Sequence, residues 1–188
     1  MYTDGSCDPL HRIGSWAAIL LIDDQKLILK GKEPDTTHQR MELTAVLNAL
    51  EYLKLNQLSA RPIHIYADSQ YVINIPKRRV KLESNSFLTN GGQPIRNADL
   101  VKNLIQYFDN SVIEFIKVAA HQKISAIENL NREVDKLARG IIRQHRRGAP
   151  TSVAASAGSI RASCGGRTWR RALLGRPSSK SMMRPRWS

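Results

Sequence analysis

Apolar and polar positions alternate in blocks along the first 147 residues, and each block has a recognisable period. Trp16 to Ile22 and Lys26 to Lys30 are apolar-rich runs flanking Asp23-Asp24-Gln25, which is the pattern of a β-hairpin. From Arg40 to Leu55, the residues Leu43, Val46, Leu47, Leu50 and Leu53 recur at helical spacing, with Thr36 or Thr37 placed to cap the helix start. Pro62 to Tyr66 reads as a short buried strand that delivers Asp68 at its end. Ser69 to Ile75 predicts a short helix that stops at Pro76. Asn97 is placed to cap a helix running through Ala98, Leu100, Val101, Leu104 and Tyr107, and Val112 to Val118 is a further strand. A last helix opens at Asn129 or Asn131 and turns Val134, Leu137, Ala138, Ile141 and Ile142 inward. Strands that first meander and then alternate with helices predict an α/β domain with a mixed sheet. Only Met1, Tyr2 and Thr3 precede Asp4, so the first strand is expected to be almost missing, with Gly5 to Cys7 forming a turn.

After Gly148 this periodicity ends. Ser, Ala, Gly, Pro and Arg dominate, and no acidic residue occurs. Such a segment buries too little apolar surface to offset the entropy of ordering. The expected organisation is therefore a folded domain over 1–147 and a disordered, basic, low-complexity tail over 148–188. The tail carries eight Lys or Arg, which leaves 21 basic against all 16 acidic residues in 1–147. Most of the net charge of +13 thus belongs to the tail, and the folded part is only mildly basic. The longest apolar run is too short to cross a bilayer, and the chain does not open on a secretory signal. Cys7 and Cys164 are far apart and form no ligand spacing, so a reducing, cytoplasmic setting is expected.

Candidate chemistry lies in four carboxylates in four separate local settings: Asp4 before Gly5, Glu42 in the first turn of the Arg40 to Leu55 helix, Asp68 after a strand, and Asp135 in the last helix. Each has a plain structural explanation when taken alone. Asp4 suits a turn, Glu42 a helix dipole, Asp68 an N-cap and Asp135 a solvated helix face. Brought together by a fold, they would be costly without a neutralising cation. Hard oxygen ligands favour Mg2+ or Mn2+. Metal-assisted phosphate chemistry is the leading expectation.

The blocks Asp4-Gly5-Ser6-Cys7, Thr37-His38-Gln39-Arg40-Met41-Glu42-Leu43, Asp68-Ser69-Gln70-Tyr71-Val72 and Asn131 to Ala138 occur in the order found in type 1 ribonuclease H, which residues 2–146 resemble. The resemblance implies a five-stranded mixed sheet flanked by helices. It also implies metal-dependent cleavage of the RNA strand of RNA–DNA hybrids, leaving a 3′-hydroxyl and a 5′-phosphate. Position by position, Asp4, Glu42, Asp68 and Asp135 match metal ligands for two ions, and His121 matches a loop histidine that assists proton transfer or product departure. Thr37 and Asn97 match a grip on a DNA-strand phosphate. Gly5, Ser6, Cys7, Gln39 and Gln70 match the surface facing the RNA minor groove. His38 stands where many relatives have Asn. The basic stretch Lys77, Arg78, Arg79, Val80, Lys81 is retained without the tryptophans that often line the DNA channel, and Phe87 is the nearest aromatic substitute. A monomer acting on hybrids, with no membrane partner, is the resulting expectation. The alternatives are a hybrid-binding module with little or no cleavage, or the ribonuclease H domain of a retroelement polymerase.

Overall fold

The computed structural model describes residues 1–58, 61–118 and 126–148. Five strands form one mixed sheet: β1 (Tyr2–Asp8), β2 (Ile13–Ile22), β3 (Gln25–Pro34), β4 (Ile63–Ala67) and β5 (Ile113–Lys117). Their spatial order is β3-β2-β1-β4-β5, so β1 is the central strand. The first three are antiparallel, while β4 lies parallel to both β1 and β5. Five helices complete the fold: α1 (His38–Leu55), α2 (Gln70–Ile73), α3 (Ile75–Ser84), α4 (Ala98–Asn110) and α5 (Ala126–Arg146).

Strand β2 is buried from Ile13 to Leu20 because both sheet faces are covered, which is why it reads as a continuous apolar run. Its alternate side chains divide the core. Trp16, Ala18 and Leu20 pack with Leu43, Val46 and Leu50 of α1 and with Val101 and Leu104 of α4. Ala17 and Ile19 face the other way, with Tyr2, Val134 and Ala138 of α5. Helices α1 and α4 therefore cover one face and α5 the opposite face. Each fully buried aliphatic side chain contributes about 1.5–3 kcal/mol relative to exposure.

The hairpin, the α1 helix with Thr37 as its cap, the two later strands and the α4 helix lie where periodicity places them. Four local expectations are corrected. The first strand is neither short nor followed by a turn. It runs through Gly5, Ser6 and Cys7 and pairs with β2 from Tyr2↔Ile19 to Asp8↔Ile13. Turn-forming residue types are overridden there by continuous antiparallel pairing with β2. Pro76 ends nothing lasting, because it occupies the first turn of α3, where its missing N–H is no loss. Helix α5 begins at Ala126, ahead of both Asn129 and Asn131. Asn97 occupies the cap position of α4 in a left-handed conformation (φ 56°), with no capping bond from its side chain.

Candidate active site

Strand register explains how two of the four acids meet. Tyr2 of β1 pairs with Tyr66 of β4, and their rings stack at 4.6 Å on the α5 side of the sheet. Two residues further along each parallel chain come Asp4, on the same face of β1 by the period of the strand, and Asp68, directly after the end of β4. From that side α5 contributes Asp135. A pocket of about 470 Å3 is lined by all three, together with His38 and Arg139. Gly5, between them in sequence, faces the other way. A Cβ there would lie 2.3 Å from the backbone nitrogen of Glu42 and 2.5 Å from the carbonyl carbon of Met41. The glycine lets the first turn of α1 lie directly on β1, which brings Glu42 to the rim of the same site.

The electrostatics follow from this crowding. Asp4 is 8% exposed. Burial first, then the charges of Asp68 and Asp135, push its carboxyl up to about 7, against smaller opposing effects of the Gly5 N–H and His38. Asp68 is raised in the same direction, by loss of water around its carboxyl, then by Glu42 and Asp135. His38 is also raised, chiefly by its bond to Glu42, whose Oε1 lies 3.2 Å from His38 Nε2. The other oxygen of Glu42 accepts from the Ser69 hydroxyl, and Asp135 Oδ1 lies 2.5 Å from Arg139 Nε. The basic side chains at the site, His38 and Arg139, are 60% and 66% exposed, so no buried base among the described residues neutralises the acids.

As the side chains stand, no three His, Cys, Asp or Glu residues among those described close on a single point that would grip one ion. Glu42 is turned to Ser69 and His38, and Asp135 to Arg139. The donor set nonetheless suits a hard divalent cation: carboxylate oxygens from three elements repel one another around one pocket, and Asp4 retains a proton into the neutral range. A bound cation would remove that repulsion.

Around the acids, Ser6 and Cys7 continue β1 along the pocket wall. The Cys7 thiol donates to the Thr36 carbonyl (3.3 Å) and is raised by burial and then by Asp8, which opposes thiolate formation. Thr37 caps α1, its hydroxyl accepting from the Arg40 N–H. Arg40 makes two bonds of 3.0 and 2.6 Å to Asp99, so the starts of α1 and α4, with Thr37 and Asn97, are tied together. The amide Nδ2 of Asn97 is buried without a protein partner among the described residues. Gln39 lies half-buried in the first turn of α1. Gln70 opens α2, donating to Asn74 and accepting from Lys117. On α3, Lys77, Arg78 and Lys81 are exposed, whereas Arg79 is held by Glu83 (3.0 Å) and Asp109 (2.6 Å). Phe87 packs against the core with Lys102 over its ring. His121 lies outside the described residues, as does the segment from 149 onward.

Reasoning from sequence missed Arg139, although its place four residues after Asp135 on one helix face was a usable signal. It also missed Asp8, which is 3% exposed and accepts from Arg146 at 2.5 Å and contacts His11 Nδ1 at 2.7 Å. That carboxyl is held down at about 2, by Arg146 foremost, and fastens the end of α5 to the β1–β2 turn. A larger cleft of about 710 Å3 between α1 and α4 holds a Tyr107 hydroxyl bonded to Glu51 and no ring of carboxylates. Charge, more than volume, marks the smaller pocket as the chemical one.

Comparison with known proteins bears on both chemistry and fold. The RNase H family model matches residues 1–143. The ribonuclease H of Moorella thermoacetica is 37% identical over 149 residues, spanning 78% of this chain and 93% of that protein. That of Thermoanaerobacter pseudethanolicus is 37% identical over 154 residues, spanning 80% and 93%. Among solved structures, the chain is similar to LC9-RNase H1, a type 1 RNase H with the type 2 active-site motif. The TM-score is 0.60 at 19% identity, over 94% of this chain and 95% of that one. It is also similar to LC11-RNase H1 in complex with RNA/DNA hybrid, with a TM-score of 0.53 at 16% identity over 77% and 96%. At those identities the structures speak to the fold alone.

Proposed function

Because this chain belongs to the RNase H family of ribonucleases, we propose that it hydrolyses the RNA strand of RNA–DNA hybrids internally, with divalent metal, leaving 3′-hydroxyl and 5′-phosphate ends. The observation carrying this reading is the meeting of Asp4, Asp68 and Asp135, from three distant parts of the chain, in one pocket beside Glu42. These four residues are assigned as the holders of two Mg2+ ions, with Mn2+ as a substitute. When bound, the ions supply activation of the attacking water and compensation of charge on the departing 3′-oxygen. Asp4, on which Asp68 and Asp135 both act, would hold metal together with them.

The remaining roles belong to protein groups. Ser69 and His38 hold Glu42 by its two oxygens, which fixes the carboxylate at the rim. Arg139 orients Asp135 in the same way. Gly5 to Cys7, His38, Gln39 and Gln70 address the 2′-hydroxyls exposed in a wide, shallow minor groove, without reading bases. Thr37 and Asn97 take a phosphate of the DNA strand. The partnerless Asn97 amide supports this, because a buried donor without a protein acceptor is expensive unless something else fills the role. Lys77, Arg78 and Arg79 add charge along that strand, Arg79 through a guanidinium already compensated by Glu83 and Asp109. His121 is assigned proton transfer, for which an imidazole is the usual side chain. Residues 1–147 are proposed as the catalytic unit, acting as a monomer.

A labelled hybrid, an RNA duplex and a DNA duplex, each incubated with Mg2+ or with excess chelator, test the proposal. The expected result is cleavage of the hybrid's RNA strand only, and only with metal. Undiminished cutting in chelator would overturn the metal-dependent mechanism. Equal cutting of the RNA duplex would overturn the selectivity. Tight hybrid binding without cleavage would convert the reading to that of a binding module.

A further inference from the structure

Helix α5 carries a surface of which the site just described uses only Arg139. Arg132, Lys136, Arg139 and Arg143 on the helix are exposed, as is Arg147 directly after it, whose N–H still donates to the Arg143 carbonyl at 3.3 Å. At 3.6 residues per turn they share an arc of about 80° on the face opposite buried Val134 and Ala138. Glu128 precedes the ridge by one turn, and Glu133 and Asp135, the acids within its span, lie off this arc. Glu133 is turned to Lys26 (2.5 Å) and Asp135 to the pocket. Arg132, Lys136, Arg143 and Arg147 have no ion-pair partner among the described residues. A solvated helix face ordinarily mixes signs, and cations four apart oppose one another at a cost to the helix. Here every successive pair along the ridge is three or four residues apart and of like sign. Such a surface is stabilised by a polyanion.

Its position says which one. Arg139 lines the carboxylate pocket and joins the ridge to it. Lys77, Arg78 and Lys81 lie on α3, which follows the α1 face of the sheet, whereas α5 covers the other face. The ridge is about 22 Å long at 1.5 Å per residue, roughly six phosphates of one duplex strand. We infer that this ridge of α5 is a second phosphate-binding track, which holds the backbone of the hybrid beyond the cleaved phosphate on the α5 side of the sheet. The inference rests on the hybrid-cleaving reading above and extends its footprint.

The test uses the full chain with Lys136→Gln, Arg143→Gln and Arg147→Gln combined, and a second variant with Arg143→Lys and Arg147→Lys. Arg139 is left intact because it contacts Asp135. Cleavage is measured on a hybrid just long enough to fill the carboxylate pocket and on one extended by a full helical turn at each end. Wild type is expected to show a lower KM on the longer hybrid. The triple Gln variant should lose that advantage and keep its kcat and its short-hybrid KM, while the Lys variant keeps the advantage. The slope of log affinity for the long hybrid against log salt should become shallower by about 2–3 in the triple variant. An unchanged long-hybrid KM, or an equal loss on both hybrids, would overturn the track. Absence of cleavage by wild type on either hybrid would instead overturn the underlying nuclease reading, so the two failures are separable.

Discussion

Asp4 and Gly5 adjoin in sequence but do opposite things, and each supports a prediction. Raised to about 7 from an ordinary 3.8, the Asp4 carboxyl holds its proton more tightly when folded than when unfolded. Without metal, its ionisation therefore destabilises the fold increasingly as pH rises above 3.8, and the effect is complete above about 7. Asp4→Asn removes the ionisation. In chelator at pH 8 the variant is expected to melt above wild type, by an amount on the order of a few kcal/mol. It should gain no stability from Mg2+ where wild type does, and turnover should be abolished. Thermal melts with and without metal decide this, and a variant less stable than wild type in chelator would refute the crowding argument. Gly5 meets a different constraint. Alanine there forces α1 away from β1, because the obstructing atoms are backbone. The expected loss is about 1–3 kcal/mol or more. It should come with a fall in kcat, since Glu42 moves with the helix. A Gly5→Ala protein with wild-type melting and turnover would show that α1 yields freely.

At the scale of elements, legibility tracked how far an element's own period decides its structure. The α1 helix and the β2–β3 hairpin were readable because their apolar positions repeat, and Thr37 caps as expected. Strand β1 was not, because Asp4-Gly5-Ser6 is turn-forming by composition and becomes strand only through its pairing with β2. The carboxylates were legible through the motifs around them. Their present partners, Ser69 and Arg139, were not, since side-chain bonds across elements leave little trace in one sequence. Asp8 is the clearest such case. Held at about 2 instead of 3.8, it contributes stability that is complete above pH 4 and lost as pH falls through 2. Arg146 is the first cause of that depression and ties the last turn of α5 to the β1–β2 turn. Arg146→Gln should lower the melting temperature at pH 7, and its gap from wild type should close as pH is taken from 4 to 2. A gap that persists at pH 2 would mean that Arg146 acts through packing instead of through the Asp8 charge.

For the whole molecule, the decisive feature is how unevenly charge is distributed. Eight of the 29 cations and none of the 16 acids belong to 148–188, while Asp4, Asp68 and Asp135 line one pocket of the described fold. A cationic segment following residue 147 would act on a polyanion at long range, raising encounter frequency and loose affinity, and such effects weaken with salt. The proposed carboxylate site would work at short range and would need every member in register. Chemistry and attraction are thus physically separable. A chain ending at Arg147 is expected to cleave hybrid with an unchanged kcat. Its KM should rise at low salt and approach that of the full chain as the Debye length shrinks from about 10 Å at 0.1 M to about 3 Å at 1 M. Steady-state kinetics across that salt range measure both. A large fall in kcat on truncation, with melting unaltered, would place part of the catalytic machinery beyond residue 147. A KM difference that survives high salt would make the tail's contribution something other than charge.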